Sequence, residues 1–118
     1  MKEYEVKITD YALEQMEKTV EYIACQLQTP ETAVKWLGNM KKSLSSLSFS
    51  PQRIKRIDEE PWRSEGIRKL IVNRFLVYFF IDDEQAIVWV TGVIYSGREQ
   101  SAQLEQMEFP SVDGEGKL

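Results

Sequence analysis

Hydrophobic positions change their period along the chain. Between Glu3 and Ile8, Tyr4, Val6 and Ile8 alternate with Glu3, Glu5 and Lys7, the period-two pattern of a strand half buried against a core. Thr9 and Asp10 then offer N-caps, and Leu13, Met16, Val20, Ile23, Ala24 and Leu27 recur at spacings of three and four, which predicts an amphipathic helix. Thr29-Pro30-Glu31 supplies an N-cap, a first-turn proline and an early acid for a second helix. Its apolar stripe is Ala33, Leu37, Met40, Leu44 and Leu47. The link between the helices is short, so they should pair as an antiparallel hairpin. Ser50-Pro51 ends the second helix, and a charged loop with Pro61 and Trp62 runs from Gln52 to Glu65.

From Gly66 onward the pattern is strand-like. Ile67 to Val72, Phe75 to Asp82 and Ala86 to Tyr95 are rich in β-branched and aromatic residues, and the links Asn73-Arg74 and Asp83-Glu84-Gln85 suit hairpins. In the middle run Phe75, Val77, Phe79 and Ile81 point one way and Leu76, Tyr78 and Phe80 the other, so both faces of the sheet need cover. The helical hairpin supplies one cover. The other is expected from the C-terminal segment or from another chain, because large exposed apolar patches commonly mark interaction sites. The expected fold is α+β, with an N-terminal strand and an antiparallel helical hairpin packed on a mostly antiparallel sheet, in the order β-α-α-β-β-β. One domain should span residues 1–104, followed by an acidic tail at 105–118 expected to be disordered.

Composition narrows the chemistry. The 118 residues, 42% hydrophobic and 29% charged, suit one globular domain. No apolar run reaches the length of a membrane helix and the N-terminus lacks the pattern of a signal peptide, so a cytoplasmic location is expected. The absence of histidine removes the commonest base near neutral pH and the commonest transition-metal ligand. No cofactor or metal is implied. Cys25 lies within the first helical pattern and is expected to be a buried or half-buried small hydrophobe. The net charge is −4, yet no acid occurs between Thr32 and Ile57, where Lys35, Lys41, Lys42, Arg53, Lys55 and Arg56 fall. Such a stretch reads first as a solvated helix flank and loop, with a local basic face on an acidic protein as the alternative. Trp36 and Trp89 fall within periodic elements and are expected to be packing anchors; Trp62 could close the core or meet a partner.

The strand running into ITDYALEQMEKTVEYIA, the helix opening at Pro30, and GIRKLIVNRFLVYFFID followed by VWVTGVIYSGRE together resemble the RelE/ParE superfamily of toxins from type II toxin–antitoxin systems, the plasmid stabilisation proteins. The resemblance runs from Tyr4 to about Arg98. It implies a small toxin held inactive by an antitoxin whose C-terminal segment wraps it, in a dimer or higher toxin–antitoxin assembly. Residues to examine for such contacts are Arg68, Lys69, Arg74 and Arg98, with Tyr78 and Phe80 on the uncovered sheet face. RelE-like members cleave mRNA on the ribosome, and ParE-like members bind DNA gyrase. For the nuclease, the resemblance points to Lys69 as a strand lysine and Arg98 as the arginine after the last strand, with Arg68 and Tyr95 as further candidates. Phe75, however, stands where the strand-opening arginine belongs, and Gln103 or Leu104 where the terminal tyrosine belongs. The expectation therefore leans toward inhibition by binding gyrase, with a ribosome-dependent endoribonuclease and a degenerate, non-toxic binding module as alternatives.

Overall fold

The computed structural model describes residues 3–26, 28 and 30–96. Four strands form one mixed sheet: β1 (Glu5–Ile8), β2 (Arg68–Val72), β3 (Phe75–Asp82) and β4 (Ile87–Tyr95), in the spatial order β1-β4-β3-β2. Two helices, α1 (Asp10–Glu21) and α2 (Pro30–Ser45), lie between β1 and β2 in sequence. The three C-terminal strands form an antiparallel meander, and β1 joins its far edge in parallel, pairing with β4 from Glu5↔Ile87 to Ile8↔Val90. The order and class are those predicted from the hydrophobic periods.

Local chemistry sets the element ends. Thr9, in extended conformation, caps α1 by accepting from the Ala12 amide at 3.2 Å, satisfying one donor that the first turn leaves open. The last turn of α1 runs into a π-helical segment, Tyr22–Gln26. Asn73, in the β2–β3 turn, has φ of 55°, a left-handed conformation that asparagine tolerates well. Gly66 enters β2 at φ of 87°, where a side chain would be strained.

The helix-facing core joins Ala12 and Met16 of α1 and Met40, Leu44 and Leu47 of α2 and its extension to Val77, Phe79, Val88, Val90 and Val93 of the sheet. Trp36 and Leu37 pack against it from α2. On α1 the inward stripe passes through Ala12 and Met16, and Leu13 is left 42% exposed. Cys25 is exposed, not buried: the π-helical geometry of Tyr22–Gln26 departs from the α-helical period on which its inward position depended.

The chain's own connection between α2 and β2 covers part of the second sheet face. Ile57 and Ile67 from that connection, with Trp62 beside them, pack on Leu76, Tyr78 and Ile94. The connection is tied down by the Ile57 amide donating to the Ile67 carbonyl at 3.0 Å and by a backbone bridge between Arg56 and Arg68. The connection therefore supplies part of the cover that the sequence pattern assigned to a tail or a partner, while Ile71 on the same face stays 65% exposed. The proposed tail at 105–118 lies outside the described residues.

One irregularity interrupts the meander. Tyr78 pairs with Gly92 but Phe79 pairs with Val90, so Thr91 is an extra residue in β4. Its buried hydroxyl donates to the Tyr78 carbonyl at 3.3 Å, as expected of a bulge whose polar group must be satisfied inside the sheet.

Candidate functional site

Strand alternation separates the residues singled out in the sequence. Lys69 lies opposite Tyr78, and Arg68 opposite Phe79. Phe79 belongs to the helix-facing core and Tyr78 to the second one, so Arg68 and Lys69 occupy opposite faces. The Arg68 guanidinium donates to the Ile54 carbonyl at 2.5 Å and more weakly to that of Gln52 at 3.5 Å. Burial lowers its pKa, the nearby Arg56 charge adds to that, and Asp83 opposes it. Arg68 thus clamps the connection onto the sheet through Nη1, which ties the guanidinium to the chain's own backbone.

Tyr95 is on the helix side, 40% exposed, with its ring edge-on to Phe75 at 5.6 Å. Phe75 in turn meets Trp36 at 5.0 Å. The position where the resemblance would place an arginine is the middle of an aromatic row. Lys69, Arg68 and Tyr95 therefore do not converge on one face. Arg74 is exposed in the β2–β3 turn, and its carbonyl accepts from the Ser96 amide. Arg98 lies outside the described residues.

Tyr78 and Phe80 change meaning. Tyr78 is 2% exposed within the second core, which withdraws its ring from any partner, and Phe80 packs half-buried against the same cluster. Burial pushes the Tyr78 phenol up to about 12, and the Glu59 charge adds to the shift. An unfolded tyrosine ionises near pH 10. The native state therefore holds this proton more tightly, so the contribution is complete below pH 10 and is lost as pH rises toward 12. Urea unfolding midpoints should fall across that interval, and the Tyr78→Phe variant should show a shallower fall.

A second polar hub joins the base of the sheet. The Tyr4 hydroxyl donates to Asp83 in the β3–β4 turn, and the Gln52 amide donates to Tyr4 Oη at 2.6 Å. The hydrogen bond to Asp83 is the main cause of a raised Tyr4 pKa. With Arg68 bonded to the Gln52 and Ile54 carbonyls, this hub fixes the start of β1 and the entry to β2 relative to one another.

The sequence reading missed a groove of about 870 Å³ between α1 and the far ends of β3 and β4. Tyr11, Gln15, Thr19 and Tyr22 line it from the helix side, and Phe75, Val93 and Tyr95 from the sheet. It exists because β1 covers β4 only as far as Val90. Beyond the bulge, the Val93 amide turns outward, and the side chain of Gln15 accepts its hydrogen bond at 2.8 Å. Strand alternation aims the Tyr95 peptide the same way. A signal was available in Tyr11, Gln15, Thr19 and Tyr22, which recur at helical spacing beside the core stripe. On the rim, the exposed Glu14–Lys18 pair at 3.0 Å contributes little to stability.

Gln15→Ala should leave the Val93 amide without this acceptor. The expected result is faster hydrogen exchange at Val93 and a loss of about 1–2 kcal/mol in unfolding free energy, because an unmet donor in a partly enclosed site costs more than the bond contributes. Unchanged exchange would show that water replaces the amide without penalty.

What the site offers is aromatic walls beside a short stretch of open strand edge, a combination suited to an extended or helical peptide. Among the described residues no group of three or more His, Cys, Asp and Glu side chains is placed to hold a metal ion, and no helix is long and apolar enough to cross a membrane.

Comparison with known proteins gives the same fold. The chromosomal ParDE toxin–antitoxin system from P. aeruginosa contains a chain similar at TM-score 0.65 and 18% identity, over 78% of this chain and 95% of that one. The RelBE2 toxin–antitoxin complex from Mycobacterium tuberculosis has TM-score 0.56 at 21% identity, over 80% and 93%. A mutant of the E. coli toxin RelE in the free state has TM-score 0.55 at 19% identity, over 86% and 92%. No curated protein is matched. Residues 6–100 match the family described as ParE toxin of type II toxin-antitoxin system, parDE. That match spans most of the chain, from within β1 to beyond β4, so this protein belongs to the ParE toxin family of type II toxin–antitoxin systems.

Proposed function

We propose that this toxin arrests growth by binding DNA gyrase and not by cutting RNA, and that a cognate antitoxin neutralises it by seating a segment in the groove between α1 and β4. The observation that carries the first part is the separation of Lys69, Arg68 and Tyr95: one lies on the second sheet face, one is spent on the connection backbone, and one stands in an aromatic row. In-line attack by a 2′-hydroxyl requires groups that take and give a proton beside positive charge on one phosphate. The groove supports the second part, since Tyr22 and Tyr95 are 56% and 40% exposed there, and aromatic side chains are enriched at the centres of protein interfaces.

Two assays on purified protein separate the readings. Gyrase supercoiling should be inhibited while ribosome-bound mRNA remains intact, and the cognate antitoxin should restore supercoiling. Cleaved transcripts with gyrase unaffected would establish the ribonuclease alternative. Normal growth on expression of folded toxin, with neither activity, would establish a non-toxic binding module.

A further inference from the structure

The acid-free stretch noted in the sequence acquires a shape in the fold. Lys35, Asn39, Lys42 and Ser46 are spaced by four, three and four residues and are all exposed, so they form one line along the outer face of α2 and its extension. Lys35 and Lys42 are separated by about 10 Å along the axis. Arg53 continues the line: its guanidinium donates to Ser46 Oγ at 3.4 Å and to the carbonyls of Phe49 at 2.7 Å and Ser50 at 3.1 Å. These bonds fix the position of the charge at the end of the line.

Phe49 stands beside it with 53% of its surface exposed. Its backbone is held by a bridge to Glu3 and by the neighbouring bond from the Tyr4 amide to the Ser48 carbonyl. An exposed aromatic on a fixed backbone, next to a guanidinium and in line with two ammonium groups, is more than a solvated helix flank requires. Glu31 and Glu3, both exposed, flank the patch, Glu3 opposite Phe49, and no acid occurs in the sequence from Thr32 to Ile57.

We propose that this face binds single-stranded nucleic acid, with phosphates following Lys35, Lys42 and Arg53 and a base stacked on Phe49. Cations in file that track a backbone, with an aromatic platform at one end, match the requirements of sequence-tolerant single-strand binding. An acidic peptide would be attracted by the same charges but would gain nothing specific from the exposed ring. The site is formed by α2 and the segment following it, apart from the groove, and it does not depend on gyrase being the target.

The test uses the full chain and fluorescein-labelled oligothymidylate and oligouridylate, with anisotropy read from low to moderate salt. Binding should weaken as salt rises, with a log–log slope near −2 for three neutralised phosphates, at about 0.7 per cation on single strands. Lys35→Glu with Lys42→Glu should weaken binding at least tenfold at low salt, and both positions are exposed, so the thermal midpoint should hold. Phe49→Ala should weaken binding about fivefold or more while leaving the salt slope unchanged. A preference between the two oligonucleotides identifies DNA or RNA as the ligand. No binding at low salt overturns the proposal, as does binding indifferent to the charge reversals. Equal binding of polyglutamate overturns it in favour of an acidic protein ligand, and equal binding of duplex DNA with no effect of Phe49→Ala removes the stacking platform and with it the single-strand assignment.

Discussion

Alanine in place of Phe79 is expected to lower the free energy of unfolding by about 3–5 kcal/mol, the range for deleting a buried phenyl ring. Phe79 is fully buried in the middle of β3, paired with Arg68 on one side and Val90 on the other. It shares the helix-facing core with Met16 of α1 and Met40 of α2, so its removal opens a cavity beneath both helices. Small domains hold only about 5–15 kcal/mol in total, and the variant should be partly unfolded near physiological temperature. Equilibrium urea denaturation followed by circular dichroism measures this. A loss below about 1 kcal/mol would mean that the helical layer collapses into the space, contrary to the rigid packing inferred for it.

Ile67→Ala is the second large effect, at about 2–5 kcal/mol. Ile67 is fully buried, and with Ile57 it forms the inner layer of the connection over Leu76, Tyr78 and Ile94. Its carbonyl also receives the Ile57 amide. The two substitutions should differ in kind. Loss of Phe79 loosens the helices, whereas loss of Ile67 should release the connection and expose the second sheet face, giving dye binding and concentration-dependent association while helical signal persists. The control is Ile71→Ala on the same face of the neighbouring strand. Ile71 is 65% exposed, and its truncation should stay within about 0.5 kcal/mol. If Ile67→Ala behaved like Ile71→Ala, the connection would not be the cover described here.

The meander was legible in the sequence because its signals agree. Phe75 to Asp82 was bounded correctly, and the neighbouring strands begin one residue later than the hydrophobic runs suggest. Turn residues, β-branched content and double-faced burial all point the same way there. The cover of the second face was not legible. Ile57 and Trp62 are scattered among charged residues without a period and so read as a loop, Ile67 reads as the first residue of a strand, and only the three-dimensional path places all three over the sheet. That same path accounts for Tyr78, whose apolar surroundings come from residues distant in sequence.

The candidate site was legible in part. Lys69 and Tyr95 were found by residue type and resemblance, but chemistry depends on which face each occupies, and one position of shift on a strand changes that. Arg68 resembled a ligand for anions until its backbone partners were located. The groove escaped because it depends on β1 ending at Ile8 while β4 continues to Tyr95, a difference in strand length that no local pattern reports.

The extra residue Thr91 has a consequence for what sequence change this family member can accept. Upstream of it Val88 and Val90 face the helices, and downstream Val93 faces them again, with Ile94 on the opposite side. Removing Thr91 would bring Gly92 next to Val90 and restore plain alternation, so Val93 and Tyr95 would keep the helix face and Ile94 its place in the second core. Side chains in this stretch can vary in size within their packing limits. The number of residues can fall by one at the bulge without exchanging the faces, so β4 should accept the loss of Thr91 more readily than a loss within Ile87–Val90, where a one-residue shift turns every side chain over.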